Sequence, residues 1–574
     1  MRDTIKTVRR RLCAPRPDVA ARTFRLGAAA LAAVKLALTA FQMGYAWVGG
    51  APLDDELMFR AANAISAGQW LGGYDYLTLS KSMGFAVWLA LLHALRLPYL
   101  PAGQLLWCGA ALLAVQALAP VLTRRARLLV FGLLVFLPSS SARYTLRVYR
   151  DNIFPALCLV CLAGFAGAAL RAAHGRTGKP ARLWPWGLAA GLGLAAAWLT
   201  REDAGLFLLP FALTAAAVTA VLLARRRRMR ALPVLALPFG ILAAGIFTVC
   251  TINYTYYGLF ALSDFSGGSF ADAMGAMNRV KSEEGFTPLV TVPADVRERL
   301  YRAVPALQPL RRWLEEDAQL QNDFRDPALH DYRAGSFYWA IRRAAQFAGV
   351  YADAAAADAY WAGVAGQINA LCDAGALPAQ SGRRSGTTPP IRAGYIAPVL
   401  AESAKSLYWT LTFQDCAAYE SQRSIGTAED FAAWQGYLHC AFNGAAEAGR
   451  DTPYYSPLQK LAYAVFAALR LAYAAALPLA FAAAAVLQFA RMGAAWRGGA
   501  LQKTTWLLLF GLLLTAAYRC AMIAFMEVSS FGIGTSTMYL ATVHPLLLLY
   551  AAAGLAAART EFDGGSRRKG NTTQ

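Results

Sequence analysis

Charged residues and metal ligands are scarce in this chain. Only 16% of its 574 residues are Asp, Glu, Lys or Arg, whereas soluble proteins are about a quarter charged. Its five histidines form no cluster, and no cysteine–histidine spacing among the nine cysteines points to zinc. Cys158 and Cys161 lie in an apolar run, where cysteine packs as a small hydrophobic residue. These shortages argue against an ordinary soluble enzyme and against a zinc-binding domain.

Long apolar runs take the place of the missing charge. Hydrophobic residues make up 57% of the chain, and runs that approach the length of a bilayer span, about 20 residues, recur along it. The sequence therefore predicts an all-α polytopic membrane protein with about ten spans. The predicted spans are 26–48, 105–122, 128–138, 154–170, 184–199, 206–224, 232–250, 471–489, 504–525 and 538–558.

The basic residues give the orientation of these spans. The net charge is +21, but residues 251–455 hold 22 of the 34 acids and only 17 of the 55 basic residues. The positive excess lies in short clusters between apolar runs, a pattern typical of cytoplasmic loops. We therefore interpret it as topology and expect no nucleic-acid partner. The apolar stretch 83–95 is short for a span. If it lies on the outer surface, the basic loops 123–127, 176–182 and 225–230 and both termini are cytoplasmic.

Three regions follow from this topology. Residues 1–250 form a seven-span module with its first outer loop at 49–104. Residues 251–455 form a soluble extracytoplasmic domain, expected to be mainly α-helical. Residues 456–574 add the last membrane helices and a cytoplasmic tail.

Charged residues of three outer loops are predicted to meet at the membrane surface. Three adjacent acids follow the first span. Holding ionisable residues so close to lipid costs free energy, so such a cluster is a candidate functional site. A lysine lies near the end of the same loop, and two further charged clusters follow the third and fifth spans. The candidate site residues are Asp54, Asp55, Glu56, Lys81, Arg147, Arg150, Asp151, Arg201, Glu202 and Asp203.

This mixture of charges suits transfer of a sugar from a lipid phosphate. Lysine and arginine can hold the phosphate, arginine with two hydrogen bonds. A carboxylate can accept the proton of an attacking hydroxyl group, and cations stabilise the charge that develops on the departing phosphate.

Each cluster also has a purely structural interpretation. The three acids could cap the amino terminus of a surface helix. The cluster after the third span could be an ion pair with interfacial anchors, and Lys81 could extend towards the lipid headgroups. The cluster after the fifth span could be a solvated turn. Their convergence favours the functional interpretation more than any single cluster does.

Several short motifs resemble the GT-C superfamily of integral-membrane glycosyltransferases. The bacterial branch related to protein mannosyltransferases and lipid A aminoarabinose transferases is the nearest in pattern. The motifs are Asp54-Asp55, Gly68-Gln69-Trp70-Leu71-Gly72, Tyr74-Asp75, Thr78-Leu79-Ser80-Lys81, Thr200-Arg201-Glu202-Asp203 with Leu208-Leu209-Pro210, and Asn253 with Tyr257-Gly258-Leu259-Phe260.

The resemblance implies roles for some of these residues. It gives the role of catalytic base or acceptor ligand to Asp54 or Asp55 and that of phosphate ligand to Lys81. The family pattern has Gly-Pro after this lysine and a further proline three residues on, whereas this chain has Ser82-Met83 and Ala86.

We therefore expect a glycosyltransferase that moves a sugar from a polyprenyl phosphate to a hydroxyl group, with inversion. Asp54 or Asp55 is the base and the other acid orients it; the remaining candidates bind substrate. The acceptor is a glycolipid, a glycan or a protein. A divalent cation such as Mg²⁺ or Mn²⁺ could bind at the acids, but the sequence requires no cofactor. The expected location is the bacterial inner membrane, with the site and the large domain facing the periplasm.

Two other classes of function remain open. A transporter or flippase for an amphipathic anion would place charges through the depth of the membrane, often in internal repeats, and no repeat is visible here. A non-catalytic scaffold for glycan assembly would have the same sequence features without a reaction at Asp54.

Overall fold

Helices make up almost all of the secondary structure. The computed structural model describes residues 18–174, 182–444 and 452–570, with side chains through residue 556. One short antiparallel pair, β1 (Arg325–Asp326) and β2 (Asp331–Tyr332), lies among the helices. The predicted basic loop 176–182 falls almost entirely outside the described residues, as do most of the amino-terminal tail and the side chains of the carboxy-terminal tail.

The helices fall into three groups along the chain. The first group is α1 (Ala21–Thr39), α2 (Asp55–Ser66), α3 (Gly84–Ala94), α4 (Tyr99–Ala117), α5 (Arg124–Val135), α6 (Phe154–His174), α7 (Trp184–Thr200), α8 (Ala204–Arg225) and α9 (Leu237–Tyr257). The second is α10 (Gly268–Met277), α11 (Ala294–Ala303), α12 (Ala334–Phe347), α13 (Ala354–Asp373), α14 (Ile396–Leu411) and α15 (Ala428–Leu438). The third is α16 (Pro457–Ala490), α17 (Ala500–Met526) and α18 (Val543–Gly570).

The long apolar helices make this a membrane protein, but they do not confirm the count of ten spans. Six helical segments among the described residues are long and apolar enough to cross a bilayer. A seventh is counted if α5 and the residues Pro138–Leu146, bent by 43°, form one broken span. The six are Tyr99–Ala117, Phe154–His174, Ala204–Arg225, Met229–Tyr257, Pro457–Ala490 and Ala500–Phe531.

The first predicted span, 26–48, is wrong at its carboxyl end. Helix α1 ends at Thr39, and the chain then runs extended. Tyr45 pairs in parallel with Arg147, and Trp47 pairs with Ile425. The backbone polar groups of this apolar stretch are therefore satisfied by distant parts of the chain, so that it does not continue the helix.

Close packing of small residues joins the two helices that carry the site's second and third loops. A β-carbon added at Gly164 of α6 would lie 2.4 Å from the backbone nitrogen of Ala190 in α7. One added at Gly193 of α7 would lie 2.4 Å from the backbone nitrogen of Cys161 in α6. Small residues allow helix backbones to approach in this way inside membranes. The contact fixes the ends of α6 and α7 relative to each other.

The first outer loop contains two short helices, α2 and α3. Helix α2 begins at Asp55, the second of the three acids, and packs against α3. Helix α3 has 11 residues, too few to cross a bilayer on its own. Its first residue, Gly84, lies against the backbone of Leu199, where an added β-carbon would be 2.5 Å from the carbonyl oxygen. This contact places the end of the Lys81 loop beside the loop that follows α7.

The segment between α9 and α16 has its own core. Residues of α10 to α13 form one hydrophobic cluster that includes Phe270, Phe337 and Trp361. Helices α12 and α13 confirm the predicted helical content of this region. Helix α14, in contrast, packs along the membrane helix α17.

Candidate functional site

The two aspartates at the start of α2 face different surroundings. The side chain of Asp55 is completely buried, and its Oδ1 accepts hydrogen bonds from Nε and Nη2 of Arg147 at 2.8 and 2.7 Å. Its Oδ2 accepts a hydrogen bond from the backbone N–H of Trp47 at 3.2 Å. The side chain of Asp54 is 36% exposed. Asp54 is therefore the acid of this pair that a substrate can reach.

Lys81 forms an ion pair with Asp54. Its ammonium group lies 5.5 Å from the ring centroids of both Tyr149 and Trp339. Trp339 belongs to α12, so the segment beyond α9 contributes directly to the site. Two aromatic faces and a carboxylate stabilise the buried ammonium group.

The residues that follow Pro138–Leu146 also bring side chains to Asp54. Arg147 and Tyr149 lie in extended backbone, in which alternate side chains share a face. Val148, between them, is buried in a hydrophobic cluster with residues of α2 and α3. Besides its bonds to Asp55, Arg147 Nη2 lies 3.6 Å from Oδ2 of Asp54.

The phenol of Tyr149 connects the charged residues. It donates a hydrogen bond to Asp54 Oδ1 at 2.8 Å. It accepts hydrogen bonds from Arg150 Nη2 at 2.8 Å and from Lys81 Nζ at 3.2 Å. Tyr149 was not among the predicted site residues, although its position between two predicted site arginines was a usable signal.

The loop after α7 supplies the next part of the network. Arg150 Nη1 donates to both carboxylate oxygens of Glu202, at 3.1 and 2.8 Å. Glu202 also accepts a hydrogen bond from the backbone N–H of Ser82 at 2.6 Å. This bond ties the loop after α7 to the residue that follows Lys81.

A second, adjoining set of ion pairs reaches into the membrane helices. Arg201 binds Asp151 at 3.1 Å and Asp203 at 3.1 Å. Asp203 binds Arg519 of α17 at 2.6 Å. Arg519 is fully buried, and its signal in the sequence was a single cation inside an apolar run.

Nine of the ten predicted site residues thus come together, and Glu56 does not join them. Glu56 Oε2 instead accepts a hydrogen bond from the backbone N–H of Gly49 at 3.3 Å. The reason is the helical geometry of α2, in which consecutive side chains point about 100° apart.

The network pairs its charges almost completely. Burial raises the pKa of Asp55 to about 6, against the opposing effect of Arg147, so Asp55 is ionised at pH 7. Burial also favours neutral Asp54, but the Lys81 ammonium and the Arg147 guanidinium outweigh it and hold the pKa of Asp54 below its usual range. The acids are Asp54, Asp55, Asp151, Glu202 and Asp203, and the cations are Lys81, Arg147, Arg150, Arg201 and Arg519.

The described residues offer no ready site for a divalent metal. No group of three or more His, Cys, Asp or Glu side chains among them is placed to hold an ion. The acids near Asp54 are already engaged by arginine and lysine, which compete with a metal for the same oxygens.

An apolar groove begins beside this network. It has a volume of about 400 Å³ and lies between α8 and α17. Phe207, one turn after Asp203, and Tyr518, next to Arg519, line one end. Val218 and Leu507 line the other. The Arg519 guanidinium lies 5.3 Å from the ring centroid of Phe207, so the charged network and the groove both contact Phe207.

The other motifs of the first loop contact the segment after α9. Trp70 Nε1 donates a hydrogen bond to Asn253 Oδ1 at 2.7 Å. The Tyr257 hydroxyl donates to the carbonyl of Gly72 at 2.9 Å, and Gly72 has a left-handed backbone (φ +88°) that favours glycine. These motifs therefore hold the loop in place rather than line the charged network.

Comparison with protein-family models, with curated proteins and with solved structures finds no match to this chain. The resemblance to the GT-C superfamily therefore stays a prediction.

Proposed function

We propose that the protein is a glycosyltransferase that moves a sugar from a polyprenyl phosphate to a hydroxyl acceptor at the outer face of the bacterial inner membrane. The observation that carries the proposal is that one charged network contains an accessible carboxylate paired with a lysine and also borders an apolar groove. A lipid-linked sugar phosphate needs all three: a base for the acceptor, a cation for the phosphate and a path for the hydrocarbon chain.

In the proposed reaction Asp54 is the base. The acceptor oxygen attacks the anomeric carbon and gives its proton to Asp54, while the bond to the phosphate oxygen breaks and the phosphate keeps the electron pair. Lys81 moves from Asp54 to the phosphate. The loss of this cation raises the proton affinity of Asp54 when a base is needed.

The other charged residues hold this pair in position. Asp55 is completely enclosed, so it orients Arg147 rather than meeting substrate. Arg150 and Glu202 fix Tyr149 and the Lys81 loop. The buried ion pairs of Arg201, Asp203 and Arg519 connect the network to α8 and α17, the helices that line the groove.

A second candidate is the non-catalytic scaffold, because the cations and acids of the network satisfy one another. A network that only stabilises the fold would also be fully paired. The transporter has less support, since Arg519 is the one charge of this network that lies well inside a membrane helix, and the others lie in loops or at helix ends.

The test supplies membranes containing the protein with a panel of labelled polyprenyl-phosphate sugars and follows label into lipid, glycan and protein fractions. The expected result is transfer by wild type that Lys81→Gln reduces by at least tenfold at equal protein abundance. Lys405→Gln, at an exposed lysine of α14, is the matched control. Transfer that is unaffected by Lys81→Gln would contradict the assignment of the phosphate site.

A further inference from the structure

Helix α14 has an inverted distribution of polar and apolar residues. Its buried positions are Ser406 and Thr410. Its exposed positions include Ile396, Leu400 and Tyr408, with 60%, 66% and 58% of their surface free. A helix on the surface of a soluble domain buries its apolar residues and exposes its polar ones. Helix α14 does the opposite, as helices in lipid do.

The buried face of α14 is typical of helix contacts inside membranes. The hydroxyl of Thr410 donates a hydrogen bond to the carbonyl of Ser406 at 2.7 Å, whereas the buried hydroxyl of Ser406 has no hydrogen-bond partner among the described residues. Small hydroxyl residues allow close approach between helices in lipid. The partner is the span candidate α17.

The two ends of α14 show the direction in which it runs. At its start, the ring of Tyr395 lies 5.9 Å from that of Phe525, near the end of α17. At its end, Leu407 and Leu411 join the cluster of Ala516 and Cys520, which lie about one and a half to two and a half turns before Phe525 in α17. The carboxyl end of α14 therefore lies deeper along the membrane helix than its start.

The chain turns sharply after α14 and is anchored there. Phe413 and Asp415 have left-handed backbones, with φ of 50° and 55°. The Phe413 ring stacks on that of His544 at 5.0 Å, and Asp415 pairs with Arg143 at 2.6 Å. The turn is thus built into the bundle of membrane helices.

The polar side chains of α14 fit a helix that dips into the bilayer from one side. Lys405 and Glu402 form an ion pair at 3.7 Å, in the turns before Leu407 and Leu411. The Lys405 ammonium lies 5.4 Å from the ring of Trp409. A lysine can extend its charge towards the headgroups.

We propose that α14 and the turn at Phe413 form a re-entrant element whose face at Ile396, Leu400 and Tyr408 contacts the acyl chains of the lipid. Lipid is the occupant because α14 packs along α17, which belongs to a segment long and apolar enough to cross a bilayer and exposes apolar residues such as Leu514. The segment between α9 and α16 is then held to the membrane in its middle as well as at its two ends. This inference does not depend on the proposed transferase activity.

The test places a spin label at Leu400→Cys and at Tyr408→Cys, each with Cys13 and Cys440 replaced by serine, in lipid nanodiscs. Collision with oxygen, which partitions into lipid, is compared with collision with a water-soluble nickel complex. Leu514→Cys is the lipid control, and Phe347→Cys, 45% exposed at the end of α12, is the water control.

The expected result is that the label at 408 behaves like the one at 514, and that the label at 400 lies between 408 and 347. The two positions test the helix independently, so a folding defect in one variant leaves the other informative. Labels at 400 and 408 that are as accessible to nickel as the one at 347 would overturn the proposal.

Discussion

Asp54 and Asp55 are neighbours in the chain but differ in access and in pKa. Burial makes Asp55 the more basic of the two, with a pKa of about 6, yet no substrate can reach it without displacing Arg147. Asp54 is accessible, but Lys81 keeps its proton affinity low. Asp55 is therefore the more basic acid but is inaccessible, and Asp54 is accessible but less basic. Asp54 becomes both accessible and basic only when Lys81 moves away from it.

The raised pKa of Asp55 predicts a pH-dependent stability. Between about pH 4 and pH 6, the folded protein carries a proton on Asp55 that the unfolded chain has lost. The free energy of unfolding of wild type relative to Asp55→Asn should therefore fall as the pH rises through this window and stay level above it. Chemical unfolding in detergent from pH 4 to 7 measures this difference. A difference that rises with pH would contradict the assignment.

Tyr149 should contribute more to stability than a neighbouring buried tyrosine. Tyr149→Phe removes the hydroxyl shared by Asp54, Lys81 and Arg150, and we expect a loss of about 1–3 kcal/mol in the free energy of unfolding. Tyr144→Phe is the matched control, because the Tyr144 hydroxyl shares a hydrogen bond with the weakly polar thiol of Cys416, at 3.6 Å, and with no other described residue. It should lose less than about 1 kcal/mol. Equal losses would show that the Tyr149 hydroxyl has no special role.

At the scale of elements, the start of α3 holds two loops of the site together. In Gly84→Ala the added methyl group would press against the backbone of Leu199 at the end of α7, and backbone cannot rotate aside as a side chain can. We expect a loss of about 1–3 kcal/mol, as for other overpacked contacts.

Gly109→Ala in α4 is the control for this change, because an added β-carbon there meets no atom within 4 Å. It should keep or slightly raise the stability, since alanine favours helix. The midpoint of thermal unfolding of both variants in the same detergent decides the matter. A Gly84→Ala protein as stable as Gly109→Ala would rule out the tight contact.

Local pattern was sufficient to predict most of the elements. Apolar runs gave the positions of α6, α7 and α8 within a few residues, and the short run at 83–95 was correctly separated from the spans. The predicted span 105–122 overlaps α4, but α4 begins six residues earlier and ends five residues earlier. The carboxyl end of α1 could not be predicted, because residues 44–48 are held by Arg147 and Ile425, far away in sequence. Non-local pairing of this kind leaves no local signal.

The site was predicted in outline but not in its connections. Charged residues next to the predicted spans indicated nine of the residues that come together in the site. The pairing of Asp203 with Arg519 joins positions more than half the chain apart, and which partner neutralises each charge depends on how the helices pack. The opposite orientation of Asp54 and Asp55 likewise depends on the strand-like contact of Trp47 beside them.

At the scale of the whole molecule, the distribution of acids predicts which parts share a side of the membrane. The acid-rich segment after α9 should lie opposite the basic loop between α8 and α9. A membrane-impermeant maleimide should label Glu284→Cys in intact cells and Arg230→Cys only after permeabilisation; both positions are exposed. Labelling of both from the same side would overturn the proposed topology.

The central claim is that Asp54 is the base of a glycosyl transfer, and comparison of Asp54→Asn with Asp55→Asn tests it most directly. Both variants are assayed with the labelled polyprenyl-phosphate sugar that wild type uses, at equal abundance and with the midpoint of thermal unfolding recorded. We predict that Asp54→Asn lowers the rate by roughly 10²–10⁴, the usual contribution of a general base, in a protein that still folds. Asp55→Asn should keep measurable transfer, because Asp55 is enclosed and does not meet substrate. Full activity in a folded Asp54→Asn protein would contradict the account.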